Sequence, residues 1–214
     1  MKHKHLWRNL FSLLTALLSI LISHSQVVSP FDIRFQANQK GGIKMISNVA
    51  VTCNSSNPNC GVFQNQLPPN GNHNQDGGVV MDYVDVDTDA STFMSSSDSL
   101  ALPSCSEVTF AGLYWSARVQ PNTVEYVTRN EVKIRLGNFL YQTITADETI
   151  DVLDIPTNPF FGMPGYYCYK NITQLVQASG GNARFTVANI SSETGDENLF
   201  GAWTIVVVYS NQLE

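Results

Sequence analysis

Between residues 82 and 91 the chain reads Asp82-Tyr83-Val84-Asp85-Val86-Asp87-Thr88-Asp89-Ala90-Ser91, so Asp85, Asp87, Asp89 and Ser91 fall at every second position. Calcium takes about six to eight oxygen ligands, and alternating carboxylates in a loop can supply several. In a flat strand the same spacing would align the carboxylates on one face, where like charges repel and a bound cation would bring relief. The EF-hand pattern is not met, because Ala90 stands where that loop needs Gly and Ser96 where it needs Glu. The expected cofactor is therefore calcium, and the alternative is a solvated acidic strand end. A second acidic stretch, Glu193-Thr194-Gly195-Asp196-Glu197-Asn198, reads as a loop that could join such a site if folding brings it beside Asp87.

Other chemistry has weaker support. His73 is the one histidine beyond residue 25, and it lies in an Asn/Gly-rich stretch that would not hold an oriented base beside a nucleophile. The chain has no G-x-S-x-G, HExxH or P-loop pattern. A glycosidase needs only two carboxylates, so a secreted hydrolase stands as the third reading; the first choice is a non-enzyme. Phe160-Phe161-Gly162-Met163-Pro164-Gly165 is an aromatic pair in a turn-forming context, and stacking on sugar rings would make it a ligand-binding element. Tyr114-Trp115, Tyr166-Tyr167, Tyr169 and Trp203 are the remaining aromatics; exposed, they too could stack on sugar rings, but core and corner packing is their expected role.

Compartment decides how the cysteines are read. Lys2, Lys4 and Arg8 precede an apolar run from Leu10 to Ile22, and Ser23-His24-Ser25 offers small residues at the positions a signal peptidase reads. Residues 1–25 are expected to be a cleavable signal peptide, because the run is short of the roughly 20 residues a membrane helix needs. No later run is long enough to span a bilayer. In an exported chain Cys53, Cys60, Cys105 and Cys168 read as two disulfides rather than a metal site. Three pairings are open. Cys53–Cys60 is favoured because Asn54-Ser55-Ser56-Asn57-Pro58-Asn59 is turn chemistry, and Cys105–Cys168 follows by elimination.

The full chain carries 12 basic and 18 acidic residues, a net charge of −6. Three of the basic residues and no acidic ones lie in the first 25, so the mature chain would carry −9. Such a surface repels nucleic acid and anionic membranes.

The elements that must position these residues are short and β-branched. Strands are expected at 43–51, 79–86, 107–119, 131–136, 139–146, 183–190 and 202–209, with Gly137-Asn138 as a two-residue hairpin turn. Trp203-Thr204-Ile205-Val206-Val207-Val208-Tyr209 is nearly all apolar and should be a central strand buried on both faces. One short helix is expected after Asn171, with Asn171 as its cap, Gln174 as capping-box partner and Gly180-Gly181 as its stop. Ser95–Ser99 reads as a serine-rich turn and 65–78 as a surface loop. The expected fold is all-β, an antiparallel β-sandwich of jelly-roll type with one short helix. Its organisation is a signal peptide at 1–25, an N-terminal extension at 26–42 and the sandwich at 43–214. Because the chain stops at Glu214, straight after its strongest strand, it is read as the leading piece of a longer protein.

Several blocks carry a resemblance. They are Met81 to Ser97 with its alternating aspartates, Val108-Thr109-Phe110-Ala111-Gly112-Leu113-Tyr114-Trp115, Asn171 to Val176, Phe185 to Ile190, and Gly201 to Tyr209. In order and spacing the series resembles the N-terminal domain of large bacterial cell-surface, adhesin-like proteins of gliding Bacteroidetes and of actinobacteria. The Cys53–Cys60 loop fits it as well. The resemblance implies a secreted or surface-anchored adhesin domain with a structural or adhesive role, in surface attachment or gliding. Its implied partners are the secretion machinery, of type IX in Bacteroidetes, and surface polysaccharide or another cell-surface protein. It implies no catalytic residues. The second functional reading is a carbohydrate-binding module acting through Phe160 and Phe161.

Overall fold

The computed structural model describes residues 32–58, 60, 79–120, 123–152, 165–196 and 199–213. The chain divides after Asp32, and Ile33–Glu214 forms the unit described here. Among the described residues no helix is long and apolar enough to cross a membrane.

Eleven strands are described. They are β1 (Gly41–Val49), β2 (Val51–Cys53), β3 (Met81–Tyr83), β4 (Ser95–Ala101), β5 (Glu107–Arg118), β6 (Glu131–Leu136), β7 (Gln142–Thr145), β8 (Glu148–Val152), β9 (Gly165–Asn171), β10 (Asn182–Ala188) and β11 (Gly201–Ser210). The named strands pair antiparallel throughout, in a five-stranded sheet ordered β1-β11-β5-β9-β8, a four-stranded sheet ordered β4-β10-β6-β7, and the small β2-β3 ribbon. Side chains of both large sheets share one core: Leu113, Trp115, Tyr166 and Ile205 from the first, Leu100, Ile134, Phe185 and Val187 from the second. Burying each such side chain contributes roughly 2–3 kcal/mol. The expected all-β sandwich is thus what forms.

Particular segments depart from the sequence reading. Ser95–Ser99 is a strand, not a turn, because its hydroxyls find partners on both faces: inside, Ser96 Oγ accepts from the buried Trp203 Nε1 at 2.8 Å, and at the surface Ser97 Oγ accepts from Arg184 at 2.8 and 3.0 Å. The segment 79–86 narrows to the three residues of β3, beyond which the chain turns into the aspartate loop. Between β6 and β7 the connection runs over residues 137–141 rather than two residues, since Tyr141 leaves the ladder to reach Asp87. Gly137 still takes the left-handed φ of +51° that the turn requires. β11 is central but not buried on both faces: Trp203, Ile205, Val207 and Tyr209 are buried, while Ala202, Thr204, Val206 and Val208 are half-covered.

Two helices are described, α1 (Val124–Val127) and α2 (Thr173–Ala178). The second is the expected one, displaced at its start. Ile172 holds the cap position without a side-chain bond, and Asn171 Oδ1 instead accepts the Thr173 N–H at 3.0 Å. Val176 and Ile172 face the core, and Thr173 Oγ1 accepts the Ala111 N–H of β5, which pins the helix over the end of the sheet. Gly180 and Gly181, at φ +66° and +76°, end it.

Candidate functional site

Asp85, Asp87, Asp89 and Ser91 lie in the loop between β3 and β4, and the loop folds on itself through its own carboxylates. Asp85 Oδ1 accepts from the Asp87 and Thr88 N–H groups, Asp87 Oδ1 from the Asp89 N–H, and Asp89 Oδ1 from the Ser91 N–H. These bonds are how short acidic side chains turn a backbone. Ser95 Oγ donates toward both Asp85 and Asp87, at 2.7 and 3.0 Å, and Lys133 Nζ reaches the Ser91 carbonyl at 2.6 Å. Asp87 Oδ2 receives Arg135 Nη2 at 2.6 Å and the Tyr141 hydroxyl. Burial pushes Asp87 up, but the bonds from Tyr141, Asp89 N–H and Ser95 and the charge of Arg135 outweigh it, so its pKa lies below the ordinary carboxylate value. Burial and the same carboxylate push Tyr141 far up, keeping its proton in place. A cation at this loop would have to take Asp87 from Arg135. Among the described residues no three His, Cys, Asp or Glu side chains gather as a metal ligand set. Glu193 does not turn to the loop; its Oε1 accepts the Gln120 N–H at 2.9 Å.

Cys53 and Cys60 are disulfide-bonded, with Cα atoms 5.5 Å apart, as the turn chemistry between them requires. The bond closes a small second core of Val51, Val79, Met81 and Leu199. The expected Cys105–Cys168 bond is not made: Cys105 is free and exposed, Cys168 free and buried. The reason is register. Cys105 precedes the first residue of β5, whereas Cys168 lies opposite Trp115 near the other end of that strand. The eight strand steps from Glu107 to Trp115 alone separate the two levels by about 27 Å, far beyond the roughly 7 Å a disulfide can bridge. Burial pushes the Cys168 thiol up to about 11, against the Thr149 hydroxyl, which leaves it protonated at neutral pH.

Phe160 and Phe161 lie outside the described residues. The aromatic surface that is described was not singled out from sequence: the outer face of the five-stranded sheet. Its cross-strand rows read Ile43-Val208-Phe110, Met45-Val206-Gly112, Ser47-Thr204-Tyr114-Tyr169-Glu148, and Val49-Ala202-Ser116-Tyr167-Ile150. The chain itself covers part of this face with residues 34–39. Phe35 stacks on Phe110 at 5.3 Å, the Arg34 guanidinium lies 4.4 Å from the Tyr169 ring centre and pairs with Glu148, and Gln39 bonds Thr109. Beneath them Gly112 leaves room for rings to lie flat. A Cβ there would stand 3.0 Å from both the Tyr114 and Tyr169 rings and 3.2 Å from Phe110. Tyr114 and Tyr169 pack on each other at 5.1 Å.

The rest of the face is open. Ile43, Met45 and Val49 are exposed, and Tyr167 is 51% exposed. Between Tyr114 and Tyr167 runs a shallow trough of about 130 Å³, its floor formed by Ser116, Ala202 and Thr204. The signal that could have found it is the alternation in Tyr166-Tyr167-Cys168-Tyr169. Read at period two, it sends Tyr166 and Cys168 inward and Tyr167 and Tyr169 outward; Tyr167 is exposed there, and Tyr169 lies beside Tyr114 and is covered by Arg34. Comparison with protein-family models, with curated proteins and with solved structures finds no match.

Proposed function

We propose that this chain is a non-catalytic β-sandwich domain of an exported bacterial adhesin, held at the cell surface and working in attachment. The observation that carries the proposal is the open part of the outer sheet face, where Ile43, Met45 and Val49 of β1 and, across β11 and β5, Tyr167 of β9 meet solvent on the same side of the sheet. Exposed apolar surface gathered on one flat element is the usual mark of a binding surface, whereas scattered apolar residues are not. The signal-like residues 1–25, the Cys53–Cys60 disulfide and the order of the resembling blocks agree with export.

The test is adhesion. Beads carrying the purified chain are washed under flow over surfaces coated with bacterial polysaccharide or with surface protein, beside beads carrying Met45→Asp and Tyr167→Ala. Wild-type beads should be retained and the variant beads released. Retention no better than bare beads, or retention indifferent to both substitutions, would overturn the proposal.

A further inference from the structure

We infer that the trough between Tyr114 and Tyr167 on the outer face of the five-stranded sheet binds an uncharged sugar ring. The inference rests on the adhesin reading and names the ligand class of that surface. Four observations carry it.

First, the walls are aromatic and one is fixed. Tyr114 is braced against Tyr169, which lies under Arg34, so its position is set before any ligand arrives. Such preorganisation lowers the cost of binding. Tyr167 stands at the diagonal position across the strand pair, about 7–8 Å away by sheet geometry.

Second, the floor is small and hydroxylated. Ser116 and Ala202 are cross-strand partners, and Thr204 is the partner of Tyr114. Neither Ser116 nor Thr204 has a side-chain hydrogen-bond partner among the described residues. A sugar ring offers matching chemistry: a C–H face to pack on tyrosine and an edge of hydroxyls that both donate and accept.

Third, the lining carries no charge. Trp115, Cys168 and Trp203 complete it, and their side chains are buried on the other face. The chain is acidic overall, at −6, which disfavours an anionic ligand, and the trough has no carboxylate to draw a cation. A neutral ligand is what remains.

Fourth, the trough is on a sheet face, not an edge. An extended peptide adds to a sheet by pairing with an unpaired edge strand, and here β11, β5 and β9 are all paired on both sides.

The experiment is calorimetric titration of the full chain with neutral hexasaccharides of glucose, mannose and xylose, and with a hexagalacturonate as the charged control. The wild type should bind at least one neutral hexasaccharide and not the charged one. Tyr167→Ala, at a half-exposed position that tolerates truncation, should weaken binding about tenfold or more. Ala202→Leu, which fills the floor while removing no contact, should abolish it. The inference is overturned if none of the neutral hexasaccharides binds, if the charged one binds equally well, or if binding ignores both substitutions. If no sugar binds while Tyr167→Ala still releases beads from a protein-coated surface, the adhesin reading stands and the sugar inference alone falls. If sedimentation then shows a wild-type dimer that Tyr167→Ala dissolves, the face belongs to a second copy of the chain.

Discussion

Asp87→Ala isolates what holds the aspartate loop. The Asp87 side chain is 12% exposed and Arg135 20%. Truncation removes four acceptor contacts, to Arg135, Tyr141, Ser95 and the Asp89 N–H. It also strands a guanidinium whose Nε is buried without a hydrogen-bond partner among the described residues. Breaking a buried pair from one side costs about 3–5 kcal/mol, and an exposed pair about 0–1 kcal/mol. At these exposures a loss of about 2–3 kcal/mol is expected, or a fall in Tm of roughly 5–10 °C for a domain of this size. Because the folded pKa of Asp87 lies below the ordinary value, its stabilisation is fully present above about pH 4 and is lost as pH falls through the folded pKa. The gap between wild type and variant, measured by urea denaturation, should therefore be full at pH 6 and narrow toward pH 2. Arg135→Ala should cost less on the Asp87→Ala background than on the wild type. A cost under about 0.5 kcal/mol at pH 6, or one unchanged down to pH 2, would mean that the Asp87 carboxylate does not hold the loop.

Calcium bears on the same loop. Millimolar calcium should leave the wild-type Tm unchanged, since Arg135 holds Asp87, and should raise that of Arg135→Ala, where alternating carboxylates lose their internal cation. A calcium-dependent wild-type Tm would show that the loop takes the cation its alternating aspartates suggest. Gly112→Ala should displace the Tyr114 and Tyr169 rings, at a cost of about 1–3 kcal/mol, since the added Cβ would stand 3.0 Å from two rings that are packed on each other; an unchanged near-ultraviolet circular dichroism spectrum would contradict it. Reducing Cys53–Cys60, or replacing both with Ser, should lower stability by roughly 2.5 kcal/mol from loop entropy. Loss of the four-stranded sheet on reduction would show that the bond does more than close its own small core.

Much of the fold was legible because most strands announce themselves by composition. Glu107–Arg118 and Gly201–Ser210 are long, β-branched and aromatic, and they form the centre of the larger sheet. What hid was whatever depended on a distant partner. Ser95–Ala101 looks like a turn until Trp203 and Arg184 supply hydrogen bonds for its serines. The Cys105–Cys168 pairing looked forced by an even count, and only the register of β9 on β5 separates the two thiols. The spacing of Asp85, Asp87 and Asp89 was plain in sequence, yet the guanidinium that meets Asp87 comes from β6, 48 residues away. The tyrosine face needs three strands in register before Thr204, Tyr114 and Tyr167 become neighbours, although the alternation placing Tyr167 outward was there to be read.

We propose that the open outer face of the five-stranded sheet is the surface by which this domain attaches. The most direct measurement is the detachment force of beads carrying wild-type chain or Tyr167→Ala from a bacterial surface, with both proteins matched for Tm. Wild-type beads should be held firmly, and Tyr167→Ala beads should be released at forces near those of bare beads. Equal detachment forces for the two proteins would contradict it.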